Sequence, residues 1–184
     1  MTDAELIVAL ANAQAPRRPA YSRSAVRGDA LSDSRAATEL LEPLLGVPVS
    51  AAELPAVRAI QRAVVAIVDA LIDRREPPLE ELNRLAAREP AVLMMSFDCD
   101  RGLRSALRPR RGSAAAALLV AVIGELAELD RSRLRRCARP ECTLTFYDTT
   151  RSGTQRWHAE NPCGRQQRQR RHRLRSGASV DPSL

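Results

Sequence analysis

Lysine is absent from this chain: all 29 basic residues are arginine. GC-rich codon usage explains such a bias, so the arginine total says little and only its distribution informs. Aromatic residues are scarce at 3%, while hydrophobic residues reach 45%. A core of ordinary size is therefore expected, built from Leu, Val, Ile and Ala, a palette that favours helices over a β-sandwich. No apolar run approaches the roughly 18 residues that a bilayer span needs. The opening MTDAELIVALANAQ carries acidic residues where a secretory signal needs cations. These absences lead us to expect a soluble, cytoplasmic protein without membrane association. No Cys-x-x-Cys occurs, which argues against a thioredoxin-like centre, and disulfides are unexpected in a cytoplasmic chain. No catalytic constellation is visible, so no enzyme is expected and no catalytic residue is assigned. No internal repeat is visible. The length of 184 residues suits one domain of ordinary size, or one with a small appendage.

What is present reads mostly as helix. Thr2-x-x-Glu5 resembles a capping box before a short helix, with Leu6, Ile7 and Leu10 as its apolar side, although LIVALA also suits a strand. Residues 15–32, rich in Pro, Ser, Gly and Arg, read as a loop. A helix is expected from Ser34 to Leu45, stopped by Gly46 and Pro48. Ser50-x-x-Glu53 predicts the start of the clearest helix. Its stripe is Val57, Ile60, Val64, Ile67, Val68 and Leu71, and its end lies near Arg74-Arg75. Pro77-Pro78 are expected to open another helix, striped by Leu79, Leu82 and Leu85. AVLMMSF and GLRSALR, joined by DCDR, read as a β-hairpin, and Ser113 as the cap of a long apolar helix reaching Leu129. Asp98, Cys99 and Asp100 are read as turn chemistry rather than a metal site. The expected fold class is mainly α: a helical N-terminal body with a small β-hairpin, then a zinc-stabilised β-hairpin and a basic helix.

Three of the four cysteines fall between Cys137 and Cys163, with one of the two histidines. Cys137-x4-Cys142 is followed, after fifteen residues, by His158-x4-Cys163. Two close ligand pairs around a short loop is the organisation of a structural zinc site. Close spacing within each pair keeps loop closure cheap, and a unit so poor in apolar residues needs the ion for much of its stability. Four protein ligands close the coordination sphere, unlike a catalytic zinc. A catalytic Cys–His pair would leave two cysteines unexplained. His158 is the ligand with competitors, His172 and Cys99, though neither shares the x4 spacing. TLTFYD and QRWH are expected to form a hairpin around TTRSGT, with Phe146 and Trp157 between its strands as a miniature core. Trp157 as a base-stacking platform is the sharper alternative. Asp148-Thr149-Thr150-Arg151 is expected to fix the turn through side-chain to backbone bonds.

Charge is concentrated in the same region. Arg131 to Arg175 holds 13 arginines and three acidic residues, a net +10, against +7 for the whole chain, so the other 139 residues net to −3. Such asymmetry points to a polyanion. A helix starting near Pro162 or Cys163 places Arg165, Arg168, Arg171 or His172, and Arg175 on one side. Arg165, Gln166, Arg168, Gln169, Arg171, His172 and Arg175 are the candidate nucleic-acid contacts, because Arg bridges phosphates and Arg and Gln read purine edges. The competing reading is a zinc-stabilised interaction module whose arginines fold back onto acidic residues of the body. A homodimer reading two half-sites and an effector of the helical body are further expected partners.

RRCARPECTLTFYDTTRSGTQRWHAENPCGRQQRQRRHR resembles the CGNR zinc finger, a C-terminal module of bacterial proteins. The matching features are Cys137 and Cys142, FYDTTR, Arg156-Trp157, and Cys163-Gly164 before a basic stretch. The region from about Leu6 to Leu129 is similar in length and helical pattern to the ABATE domain that precedes that finger. The resemblance implies a transcription regulator whose finger binds DNA. It also implies a division into residues 1–130 (ABATE-like), 131–176 (finger) and a flexible tail at 177–184. Two departures stand out. His158 replaces the family's usual Cys after the Trp, which keeps a ligand and gives Cys3His. The signature tetrad reads Cys163-Gly164-Arg165-Gln166 instead of Cys-Gly-Asn-Arg, so no role of that Asn carries over.

Overall fold

The computed structural model describes residues 4–14, 29–89, 91–98, 102–109 and 112–176. The expected Thr2 cap, most of the 15–32 loop, the turn at Cys99 and Asp100, and the 177–184 tail lie outside them. Among the described residues there are six helices, α1 Glu5–Asn12, α2 Ser34–Leu45, α3 Leu54–Ile72, α4 Glu80–Ala86, α5 Ala114–Glu128 and α6 Arg165–Arg175. Two antiparallel hairpins accompany them, β1 Ala91–Asp98 with β2 Gly102–Pro109 and β3 Leu134–Arg136 with β4 Thr145–Tyr147. None of these helices is long and apolar enough to cross a membrane.

The centre of the body is α3. Val57, Ile60, Val64, Ile67 and Val68 recur every three or four residues and are 0–1% exposed. Each contributes about 1.5–3 kcal/mol by leaving water. α1, bearing Ile7 and Leu10, and α5, bearing Leu118 and Val122, pack against this stripe. Asp33 accepts a 2.8 Å bond from the Ala36 N–H and so caps α2, which ends at Gly46 in the left-handed region. The Ser113 hydroxyl accepts from the Ala116 N–H in the same way at α5.

Several expectations are corrected. α3 opens at Leu54, after a turn, and the Glu53 carboxylate serves two helices. One of its oxygens accepts from the Ser50 N–H and hydroxyl, and the other accepts from the Ala114 N–H at 2.7 Å. Pro77 and Pro78 precede α4 rather than starting it, and Leu79 lies outside the helix, 44% exposed, leaving Leu82 as its buried anchor. Leu31, read as loop, is fully buried, and Arg58 holds its carbonyl at 2.7 Å. The β1–β2 hairpin pairs in the register Ala91↔Pro109 to Asp98↔Gly102 and lies against α5 through β2.

β3 begins after a 3-10 turn at Arg131–Arg133. Its Leu134 is 3% exposed and belongs to the same apolar core as α1, α3 and α5, with Tyr147 packed beside it. The C-terminal lobe is thus seated directly on the helical body.

Candidate metal centre

The lobe is built around a strand pair that differs from the expected one. β4 pairs with the upstream β3, in the register Leu134↔Tyr147, Arg135↔Phe146 and Arg136↔Thr145. The QRWH segment is not a strand. It runs beside the first cysteine loop, where the Arg156 carbonyl accepts from the Ala138 N–H at 2.8 Å. Leu134 and Tyr147 are paired at one end of this register, and packing both against the core of the body fixes it.

Asp148 organises the next turn. It is fully buried and accepts from the Thr150 N–H at 3.0 Å, the Thr150 hydroxyl at 2.5 Å and the Gln155 N–H at 2.7 Å. Arg135 lies 3.8 Å from it and also donates to the Gly153 carbonyl. Arg133 donates to the Asp148 and Thr150 carbonyls at 2.9 and 2.8 Å. Gly153 adopts a φ of 59°, where a side chain would be strained. Burial alone would raise the Asp148 carboxyl. The bonds from Thr150 and Gln155 and the charge of Arg135 outweigh it, and hold the group below its ordinary value.

This framework delivers Cys137, Cys142, His158 and Cys163 to one point. Their ligand atoms all lie within 4.8 Å of one another. The Cys142 Sγ to His158 Nδ1 distance is 3.5 Å. Tetrahedral zinc, with bonds of about 2.3 Å to sulfur and about 2.0 Å to nitrogen, sets ligand atoms roughly 3.5–3.8 Å apart, so the group fits that ion. Cys137 and Cys163 are buried, and Cys142 and His158 half-buried. Burial pushes the Cys142 thiol up to about 12, with crowding by Cys137 and Cys163 adding to it. Burial also raises the Cys163 thiol. Only a bound cation makes such a cluster of thiolates tenable. Burial, and then the charge of Arg139, lowers the His158 imidazole, which keeps it in the neutral form that a ligand requires. His172, the other candidate ligand, is exposed on α6 and outside the cluster, and Cys99 lies outside the described residues.

Cys163 also anchors a helix. Glu160–Gly164 form a wide turn that leads directly into α6. A Cβ at Gly164 would overlap the Glu160 carboxylate, which pairs with Arg168. No residue of α6 is buried. Arg165, Arg168, Gln169, Arg171, His172 and Arg175 are exposed, whereas Gln166 is half-buried. Arg168 and Arg170 are paired, with Glu160 and Glu141 respectively. Among the described residues Arg165, Arg171, Arg173 and Arg175 have no carboxylate partner. Trp157 is half-buried, and the exposed Arg156 guanidinium lies 5.7 Å from its ring centroid, over one face.

Of three contacts that sequence reasoning missed, two hold the lobe on the body and the third braces it from within. The Asn12 side chain bonds both backbone groups of Thr145. Arg136 reaches Asp69 at 2.6 Å and Asp73 at 3.2 Å on α3. Arg139 lies between Glu141 and Cys163. No sequence signal marks Asn12 or Arg136. Arg139 could have been suspected from its place inside the Cys137–Cys142 loop.

Three cysteines and a histidine closing on one point in a small lobe define a structural zinc site of the zinc-finger class. A family model described as the CGNR zinc finger matches residues 133–176, which places the lobe beside that family. No curated protein matches the chain.

Proposed function

We propose that this chain is a non-enzymatic, cytoplasmic DNA-binding regulator of transcription, in which the zinc lobe presents α6 to DNA. The observation that carries this reading is α6 itself. It has eleven residues, six of them arginine, no buried side chain, and a zinc ligand two residues before its start. Arg165, Arg168, His172 and Arg175 share its outer face, with Gln169 among them. Half-buried Gln166 and Gln167 mark the side turned toward the lobe. Arginines at this spacing repel one another in water, so an exposed helix of this kind is explained by an anionic partner. The major groove admits one helix, and Arg and Gln read its base edges. In this reading the helical body, which resembles an ABATE domain, dimerises or receives an effector, and two fingers read two half-sites.

A second reading has its own observation. Arg136 is folded back onto Asp69 and Asp73, as expected if the lobe were a protein-interaction or packing module. Selection from random-sequence DNA at two salt concentrations separates the two readings. Zinc-loaded protein is expected to enrich a motif that an Arg165→Ala/Arg171→Ala/Arg175→Ala variant loses. No enrichment and no salt-dependent retention would leave the interaction module.

A further inference from the structure

Three thiolates and a neutral imidazole around Zn²⁺ leave one net negative charge in a half-buried site. A charge in such a place is costly unless something balances it. The described residues set one guanidinium against a cluster sulfur. Arg139, inside the Cys137–Cys142 loop, has its Nη1 4.0 Å from Cys163 Sγ. Its side chain is 22% exposed, and its Nε donates to Glu141 Oε2 at 3.0 Å. The other Glu141 oxygen meets Arg170 Nη1 of α6 at 3.4 Å. A chain of contacts thus runs from the metal-ligating sulfur through Arg139 and Glu141 to the basic helix. Its direction is fixed by geometry. Glu141 holds the Nε edge of the guanidinium, which leaves the far edge to face the sulfur.

We propose that Arg139 is the charge-balancing residue of the metal centre, holding Cys163 as a ligand, and that Glu141 uses the same contact to set the pose of α6. An N–H donor on a zinc-bound sulfur withdraws electron density and lowers its appetite for protons and other electrophiles. Groups of this kind around metal ligands tune affinity by one to two orders of magnitude. A histidine at position 158 rather than a fourth thiolate suits this arrangement, because it leaves one charge to balance instead of two.

The inference rests on the zinc reading of the four side chains, and the test keeps the two apart. Native mass spectrometry of the wild-type chain should show one zinc; a wild type without zinc would overturn the site itself. Arg139→Met, which keeps an unbranched apolar stem and removes the charge, should then release zinc to a chromogenic chelator about tenfold faster or more. Arg139→Lys, which keeps the charge, should recover part of that loss. In Co²⁺-substituted protein, Arg139→Met should move the sulfur-to-metal charge-transfer band to lower energy, a change that general loosening of the lobe does not produce. Glu141→Gln should speed hydrogen exchange across α6 while leaving the band close to its wild-type position. Zinc release and band position unchanged in Arg139→Met, in a chain whose helical body unfolds at the wild-type temperature, would overturn the inference.

Discussion

The side chain of Asn12, the last residue of α1, bonds both backbone groups of Thr145 in β4. Its Nδ2 donates to the carbonyl at 2.8 Å and its Oδ1 accepts from the N–H at 2.9 Å. A primary amide offers a donor and an acceptor side by side, as a neighbouring strand would. Asn12 therefore completes the free edge of a two-stranded sheet that is otherwise open. Thr145 is 6% exposed, so water cannot take over those bonds. Asn12→Ala should lower the stability of the lobe by about 2 kcal/mol in urea denaturation. Asn12→Asp, which keeps the acceptor but sets an anion against the carbonyl, should cost at least as much. A loss within measurement error for Asn12→Ala would mean that α1 merely lies beside the sheet.

Asp148 makes a pH-dependent prediction. Its carboxyl is held below its ordinary 3.8 in the folded protein. The unfolded chain therefore takes up the proton first as pH falls. The stabilisation is complete above about pH 4 and disappears as pH drops through the lower folded-state value. Asp148→Ala takes the carboxylate away from Arg135, leaves the Thr150 and Gln155 N–H groups unpaired and should cost about 3 kcal/mol. Asp148→Asn should cost less and flatten the acid limb of a stability–pH curve measured from pH 2 to 6. An unchanged acid limb would remove Asp148 from the account of the turn.

The legibility of this chain was uneven for physical reasons. Helices α2, α3 and α5 were readable because Val57 to Val68 follow a 3.6-residue period, Gly46 stops α2 and Ser113 caps α5; the Asp33 cap of α2 was not read. The ligand set was readable because metal sites impose spacing: Cys137 and Cys142, then His158 and Cys163, each separated by four residues. The role of Asp148 was readable because a side chain that bonds the backbone two residues on is a local device. What escaped was non-local. The choice of β3 over QRWH as partner of β4 depends on Leu134 and Tyr147 finding the core of the body. The trans contacts of Asn12, Arg136 and Glu53 join segments 61 to 133 positions apart in the chain, with no periodicity to announce them.

Glu125 titrates in the opposite sense to Asp148. From α5 it reaches the start of α1, where its carboxylate accepts from the Ile7 N–H at 3.2 Å. Ala4 gives that helix no side-chain cap of its own, so Glu125 supplies one from outside. Burial raises its carboxyl above the ordinary 4.5, and the charge of Glu5 adds to the rise. The N–H bonds of Ile7 and Leu6 only partly offset this. The folded protein keeps the proton after the unfolded chain has lost it. Stability therefore falls as pH rises from about 4.5 through the folded-state value. Glu125→Gln retains an acceptor without the charge. It should abolish that slope in melting temperatures taken from pH 4 to 8 and be no less stable than wild type at pH 7. A clear loss at pH 7 would show that the ionised form is needed.

Removing the ion should divide the molecule. The lobe has Leu134, Tyr147 and Asn12 to hold β3 and β4 on the body, but its cysteine loop and its Glu160–Gly164 turn converge on the ligands. Chelation is expected to speed amide exchange across residues 137–175 while α3 and α5 keep their protection. His158→Ala should lose zinc, and His158→Cys should retain it. Uniform loss of protection through α3 on chelation would show that body and lobe fold as one unit.

Arg165, Arg171 and Arg175 of α6 permit the most direct test of the proposed function, because replacing these three should not disturb the fold. None is buried, and Arg165, Arg171 and Arg175 have no carboxylate partner among the described residues. Arg165 opens the helix at the positive end of its dipole and Arg175 closes it at the negative end, so the dipole effects of removing the two oppose each other. On duplex DNA each phosphate contact releases a counterion and contributes about −0.9 to the slope of log affinity against log salt. Replacing all three by Ala should reduce that slope by roughly two to three and leave the melting temperature and zinc content at wild-type values. Arg170→Ala should behave differently. It frees Glu141 and loosens the helix, so its cost falls on α6 order more than on the salt slope. If the triple variant binds DNA with an unaltered salt dependence, α6 is not the surface that meets the phosphates, and the proposed function falls with it.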